Sequence, residues 1–227
     1  MKNIFIFRNS DFSMQSADFI KDAIERKYKK SKNLDIMLTG GNSIKSIYRK
    51  IDPHFFENKT INIYLSDERS VSIQNHESNY KNIEKNLFNS KIPKSINIKN
   101  FFLKKKNISD QLISYEKELP NNLDLLILSI GSDGHIASIF PNDKKCHLTK
   151  RKVVQTLNPY DKQIRYTISK NVITKARQII VIVKGKSKGI ILNKMTKDKD
   201  MLKIPARIIK NASWLLDLSA ANEFFIK

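Results

Sequence analysis

The chain has 227 residues, with 42 Lys and Arg against 22 Asp and Glu, and a formal net charge of +20 at pH 7. That length suffices to bury a sizeable core. Its one cysteine, Cys146, excludes an internal disulfide and suits a reducing compartment. No segment approaches ~18 unbroken apolar residues, so no membrane span is expected. The apolar run at 4–7 is too short for a signal-peptide core, and the expectation is a soluble, cytoplasmic protein.

The charge invites a nucleic-acid reading, but its make-up argues otherwise. Lysine outnumbers arginine 34 to 8, and Asn and Ile are abundant throughout. An AT-rich coding sequence produces that bias without selection for a partner. The lysines are also dispersed, with only short clusters such as those at 27–32 and 104–106. No nucleic-acid partner is expected, although a positive field attracts small anions.

Taken in chain order, short apolar runs at 3–8, 34–39, 61–66, 123–130 and 178–184 predict buried strands. Between them, Ala17, Ile20, Ala23, Ile24 and Tyr28 recur at helical steps, as do Ile44, Ile47, Tyr48 and Ile51. Strands without polar alternation are covered on both faces. The expected fold is therefore α/β: a doubly wound, mostly parallel sheet with helices on both faces, a Rossmann-like three-layer sandwich. No repeat or Pro/Gly-rich linker interrupts it, so one domain over residues 1–227 is expected.

Ligands of such sheets sit beyond the carboxyl ends of the strands, and three tips stand out. At 38–51, Gly40 and Gly41 turn the chain from strand to helix, with Asn42 or Ser43 as the expected N-cap; such a turn can receive an anion. At 64–80, Asp67, Glu68 and Arg69 follow directly on a strand. At 125–143, Gly131 and Gly134 bracket Asp133, with His135 next. A histidine in the first turn of a helix would be biased toward its neutral form by the dipole, as a general base requires. The sequence has no G-x-S-x-G elbow, so Ser132 and Ser138 are poor nucleophiles. Cys146–His147 with distant histidines lacks zinc spacing, and no dinucleotide or P-loop fingerprint is present.

Together these segments resemble the 6-phosphogluconolactonase family, in the superfamily that also holds glucosamine-6-phosphate deaminases. Thr39-Gly40-Gly41-Asn42-Ser43-Ile44 is similar to its Ser-Gly-Gly-Ser-Thr-Pro turn. Asp67-Glu68-Arg69 with Ser78-Asn79 matches a second motif, and residues 131–141 match Gly-x-x-Asp-Gly-His-Thr-Ala-Ser-Leu-Phe-Pro with Ile136 and Ile139 as apolar replacements. The segment 165–169 (RYTIS), Gly185 to Lys188, and the ending at 204–221 follow in family order. Ile44 and Ser72 stand where prolines are usual, which loosens turns and touches no polar group.

The resemblance implies hydrolysis of 6-phospho-D-glucono-1,5-lactone to 6-phospho-D-gluconate, a step of the oxidative pentose phosphate pathway, without metal or redox cofactor. It implies His135 as the base that activates water, with Asp67 or Asp133 orienting the imidazole or the water. Arg69 would hold the lactone and its developing charge. Gly40, Gly41, Ser43, Arg165 and Lys188 would cradle the phosphate. A monomer or weak homo-oligomer is expected. The alternatives are a glucosamine-6-phosphate deaminase/isomerase and a non-catalytic sugar-phosphate-binding protein. Deaminases continue Asp-Gly-His-Ile-Ala with Phe-Asn-Glu-Pro, whereas this chain reads Ser138-Ile139-Phe140-Pro141, with no carboxylate before the proline.

Overall fold

The computed structural model describes residues 3–101 and 107–226; the lysine cluster at 104–106 lies outside them. Strand β1 (Asn3–Phe7) leads into α1 (Phe12–Tyr28), then β2 (Asn33–Leu38), α2 (Asn42–Tyr48) and β3 (Thr60–Leu65). The middle of the chain holds β4 (Asp67–Arg69), α3 (Asn79–Phe88), β5 (Ile96–Lys99), α4 (Ile108–Glu118), β6 (Leu125–Ser129) and α5 (Lys144–Leu148). It closes with β7 (Val153–Leu157), β8 (Ile164–Ile168), α6 (Lys170–Lys175), β9 (Ile179–Val183), α7 (Lys186–Lys197), β10 (Ser213–Asp217) and α8 (Leu218–Phe225). No described helix is long and apolar enough to cross a membrane.

Seven strands form one parallel sheet in the order β1-β10-β9-β6-β2-β3-β5. Every residue of β9 is buried, and so are four of the five in β6. Unbroken Ile/Val/Leu runs have no wet face, so helices must cover the sheet on both sides. α1 shows the matching pattern: Phe12, Ser16, Ala17, Ile20, Ala23 and Ile24 are buried at three- and four-residue steps. The expected doubly wound α/β sandwich is the fold observed.

Strand order fixes where the site can be. From β2 the sheet grows through β3 to β5, and from β6 it grows the other way through β9 and β10 to β1. The order reverses between β2 and β6. A crevice opens at the carboxyl ends where such a reversal occurs, because the flanking connections leave in opposite directions. Two buried tyrosines hold this edge in place. Tyr48 donates from Oη to the carbonyl of Thr39 at 2.9 Å, just past β2. Tyr115 donates to the Leu65 carbonyl (2.7 Å) and accepts from the Leu65 N–H (2.8 Å) at the end of β3. Burial pushes both phenols up, so they stay protonated and can donate.

A second sheet, absent from the sequence reading, is antiparallel with order β4-β8-β7. It joins the main sheet where the Ser66 N–H meets the Leu38 carbonyl (2.9 Å) and the Ile168 N–H meets the Ser66 carbonyl (2.9 Å). It therefore overhangs the crevice.

Candidate active site

A cavity of about 280 Å³ lies at this reversal, lined from the β2 tip by Thr39, Gly41, Asn42 and Ser43 and from the β6 tip by Ser129, Ile130, Gly131 and His135. The small sheet adds Asp67, Arg69 and Arg165, and α7 adds Lys188. Gly41, Ser43, Asp67, Arg69, Gly131, His135, Arg165 and Lys188, all named from sequence or resemblance, are thus brought together. Gly40 and Asp133 stand just behind the lining.

The loop after β6 corrects one expectation. His135 is not in the first turn of a helix; the next helix begins only at Lys144. Instead Ile136 bridges to Ile130 and Ile139, and Ala137 adopts φ +51°, so the chain doubles back on itself. The Gly131 N–H donates to the His135 carbonyl at 2.9 Å and closes the loop. No helix dipole of its own segment acts on the imidazole. Asp133 does: its Oδ1 lies 2.6 Å from His135 Nδ1 and accepts the His135 N–H at 3.1 Å. Gly131 makes room for this pair, since a Cβ there would come within 2.2 Å of the imidazole and 2.6 Å of the carboxylate.

Burial would raise the Asp133 carboxyl, but the hydrogen bond and charge of His135, its N–H and the Tyr160 hydroxyl outweigh it and hold the group at about 2. An ionised carboxylate only accepts, so in the neutral imidazole Nδ1 carries the proton and the lone pair lies on Nε2. Nε2 has no partner among the described residues. Phe140 packs beside the ring, with centroids 5.1 Å apart.

The two carboxylates offered for orienting the histidine are separated by their partners. Asp67 accepts Ser66 Oγ at 2.8 Å through one oxygen and Ser138 Oγ at 2.8 Å through the other. It makes no hydrogen bond to His135. Glu68, fully buried, accepts from the N–H groups of Arg69, Asn79 and Tyr80 and from Ser78 Oγ, at 2.7 to 3.0 Å. It ties the β4 tip to the N-terminus of α3, where a negative charge suits the dipole. Burial pushes its carboxyl up while those four bonds pull it down. Arg69 is held in turn by a hydrogen bond from its guanidinium to the Glu77 carbonyl.

At the other end, Lys188 Nζ donates to Ser43 Oγ at 2.6 Å and to Ser129 Oγ at 3.0 Å. Burial pulls its ammonium down to about 8, against the opposing pull of Asp217. Asp217 also fixes the start of α7, accepting the Gly185 N–H at 2.9 Å while capping α8 through the Ala220 N–H at 2.8 Å. Arg165 is buried and pairs with Asp161 at 2.8 Å; burial and nearby Arg69 keep its guanidinium below its ordinary value. The expected side-chain cap on α2 is absent: Gly41 is the N-cap, and the Ser43 hydroxyl faces Lys188 instead. Gly40 serves packing, because a Cβ on it would meet the Asn79 side chain at 2.5 Å.

The sequence reading missed Ser129, Asn158 and Phe140 as lining residues, and it passed over Tyr160, whose hydroxyl donates to Asp133 Oδ2 at 2.8 Å. Their signals were thin: a serine one step before a strand tip, and the turn-forming stretch Asn158-Pro159-Tyr160-Asp161 just before Arg165. Cys146 is buried and donates to Asp143, with burial the main cause of its raised thiol. No group of three or more His, Cys, Asp or Glu able to hold a metal ion occurs among the described residues.

Comparison with known proteins places the chain in a family. A probable 6-phosphogluconolactonase 2 of Oryza sativa subsp. indica is 30% identical, over 96% of this chain and 89% of its own length. The 6-phosphogluconolactonase of Thermotoga maritima is 29% identical, over 85% of this chain and 89% of its own. A crystal structure of a 6-phosphogluconolactonase from Thermotoga maritima superposes with a TM-score of 0.82 at 24% identity, covering 95% of this chain and 99% of that one. A monomeric glucosamine-6-phosphate deaminase superposes almost as well, with a TM-score of 0.81 at 18% identity over 97% and 99%. These likenesses establish the fold and leave the choice of chemistry to the side chains. The model of the glucosamine-6-phosphate isomerases/6-phosphogluconolactonase family matches residues 8–216, and the chain belongs to that family.

Proposed function

We propose that the protein hydrolyses 6-phospho-D-glucono-1,5-lactone to 6-phospho-D-gluconate, with His135 activating the water. The observation that carries this reading is the pairing of an oriented histidine at one end of the cavity with Ser43, Lys188 and Arg165 elsewhere in it. Nε2 of His135 takes a proton from water, and the hydroxide adds to the lactone carbonyl. Asp133 stabilises the imidazolium that results. The Arg69 guanidinium faces the oxyanion. Collapse breaks the bond between carbonyl carbon and ring oxygen, the imidazolium returns its proton to that oxygen, and the new carboxylic acid loses its proton to solvent.

Lys188, Ser43 and Arg165 grip the phosphate, with Gly41 in the adjoining turn. Gly40 acts through packing, and Asp67 braces Ser138 and the loop that carries His135. The reaction needs no metal and no redox cofactor. The same reading makes residues 1–227 one cytoplasmic domain, a monomer or weak homo-oligomer with no nucleic-acid partner.

The rival chemistry within the family is sugar-ring opening by a deaminase, which employs a glutamate immediately before the proline. Phe140 occupies that position here, its ring against His135. A phenyl ring cannot relay a proton, whereas lactone hydrolysis requires no relay at that point. Purified protein should therefore hydrolyse the lactone well above the enzyme-free rate and release no ammonia from glucosamine 6-phosphate. Ammonia release without lactone turnover would overturn the proposal.

A further inference from the structure

Asp133 has two oxygens and uses both. Oδ1 takes His135, through Nδ1 at 2.6 Å and the backbone N–H at 3.1 Å. Oδ2 accepts the hydroxyl of Tyr160 at 2.8 Å, from the loop between β7 and β8. We propose that Tyr160 is a positioning residue for the acid–base histidine, acting through Asp133; the proposal deepens the lactonase reading and rests on it.

Packing does not account for Tyr160. Its side chain is 68% exposed, and its ring pairs with no other aromatic among the described residues. What the surroundings provide is a rigid mount. The Tyr160 N–H donates to Asn158 Oδ1 at 3.1 Å, the Asn158 N–H to the Gln163 carbonyl at 3.0 Å, and the Lys162 N–H to the Asn158 carbonyl at 3.0 Å. Asp161, the next residue, is pinned to the buried Arg165 guanidinium at 2.8 Å. The hydroxyl is thus delivered to Asp133 from a turn fixed at several points.

The physical role follows from how a carboxylate rotates. Torsion about its last bond is broad, so an aspartate held through one oxygen swings and takes the imidazole with it. Held through both, it fixes the ring plane and keeps Nε2 toward the cavity. The Tyr160 hydroxyl also withdraws negative charge from the carboxylate. That limits how strongly Asp133 favours the imidazolium over the neutral base. The charged and titratable groups facing His135 are Asp133 on its own loop, Tyr160, and, across the cavity, Asp67, Arg69, Arg165 and Lys188. Of these only Tyr160 is an uncharged donor to Asp133.

Tyr160→Phe removes the donor and keeps the ring, and its exposure leaves the fold intact. The imidazole C–H resonance of His135, one of four histidines and identified by its loss in His135→Ala, is followed against pH in both proteins without substrate. Losing one hydrogen bond on Asp133 should raise the His135 titration by about half to one pH unit. The acidic limb of kcat/KM for the lactone should move upward with it, and kcat at neutral pH should fall about three- to tenfold at unchanged KM. A His135 titration that superimposes on the wild type overturns the proposal, whatever happens to kcat, because a merely structural role would lower rates without moving the pKa. Should the wild-type protein fail to hydrolyse the lactone, the lactonase reading falls, while the substrate-free titration still decides the role of Tyr160.

Discussion

Lys188→Met should make the protein more stable and a worse enzyme. In the fold the Lys188 ammonium titrates at about 8 instead of 10.5. A difference of roughly 2.5 units corresponds to about 3 kcal/mol disfavouring the buried charge. Methionine matches the stem in length and carries no charge, but it leaves the hydroxyls of Ser43 and Ser129 without their donor. That loss offsets part of the gain, so a net stabilisation of about 1–2 kcal/mol is expected. For a chain of this size it raises Tm by about 3–6 °C. The sign has a pH signature. Between about pH 8 and 10.5 the unfolded chain holds the proton that the folded one has released, so wild-type stability gains with rising pH across that window. The variant should lack that gain. In the lactone assay its KM should rise at least about tenfold, with inhibition by 6-phosphogluconate weakened in step. Calorimetry at pH 7 and pH 9.5 beside steady-state kinetics makes the check. A variant less stable than wild type, with KM unaltered, would refute both the buried-charge argument and the phosphate assignment.

His135→Ala should lower kcat at least about 100-fold, measured against an enzyme-free blank because the lactone also hydrolyses spontaneously. Asp133→Asn should lower kcat by about 100-fold or more with little change in KM, because an amide can donate to Nδ1 and leave the proton on Nε2; near-normal turnover would return the orienting role to Asp67. Arg165→Ala should act chiefly on KM, since the phosphate it grips is remote from the breaking bond. Unchanged inhibition by inorganic phosphate in that variant would place the pocket elsewhere.

The sequence made the frame legible wherever burial was complete. Apolar runs at 34–39, 61–66, 123–130 and 178–184 became β2, β3, β6 and β9, each displaced by no more than a residue or two at either end. The small sheet escaped for the opposite reason. β4 is only Asp67-Glu68-Arg69, too short to show a period, whereas β8 does alternate apolar and polar residues over Ile164–Ile168, a strand signal that a search for unbroken apolar runs passes over. A strand as polar as β4 forms because tertiary pairing supplies what propensity lacks. At His135 the glycines announced a special backbone, but the eye supplied a helix where the chain makes bridges at Ile136 and a left-handed Ala137. The choice between Asp67 and Asp133 was equally out of reach. Asp133 lies two residues from His135, whereas the partner of Asp67 is Ser138, 71 residues away.

On the proposed reading, the distribution of charge in the cavity accounts for the choice of a small phosphorylated ligand by so basic a chain. Among the described residues, three cationic side chains line the cavity: Arg69, Arg165 and Lys188. Asp67, the one carboxylate in the lining among the described residues, already receives a serine hydroxyl at each oxygen and offers little competition to an incoming anion. The other cations contribute a diffuse field that ions screen over about 10 Å, which speeds encounter and does not discriminate among anions. Discrimination therefore falls to geometry. Under the proposed mechanism, a ligand would put its phosphate beside Lys188 and Arg165 and, at the same time, an electrophilic carbon within reach of a water on His135. Inorganic phosphate satisfies the first demand alone, and an unphosphorylated lactone only the second. Because binding energy gained at the phosphate can be spent on holding the carbonyl at the histidine, the two halves of the cavity are worth more joined than apart.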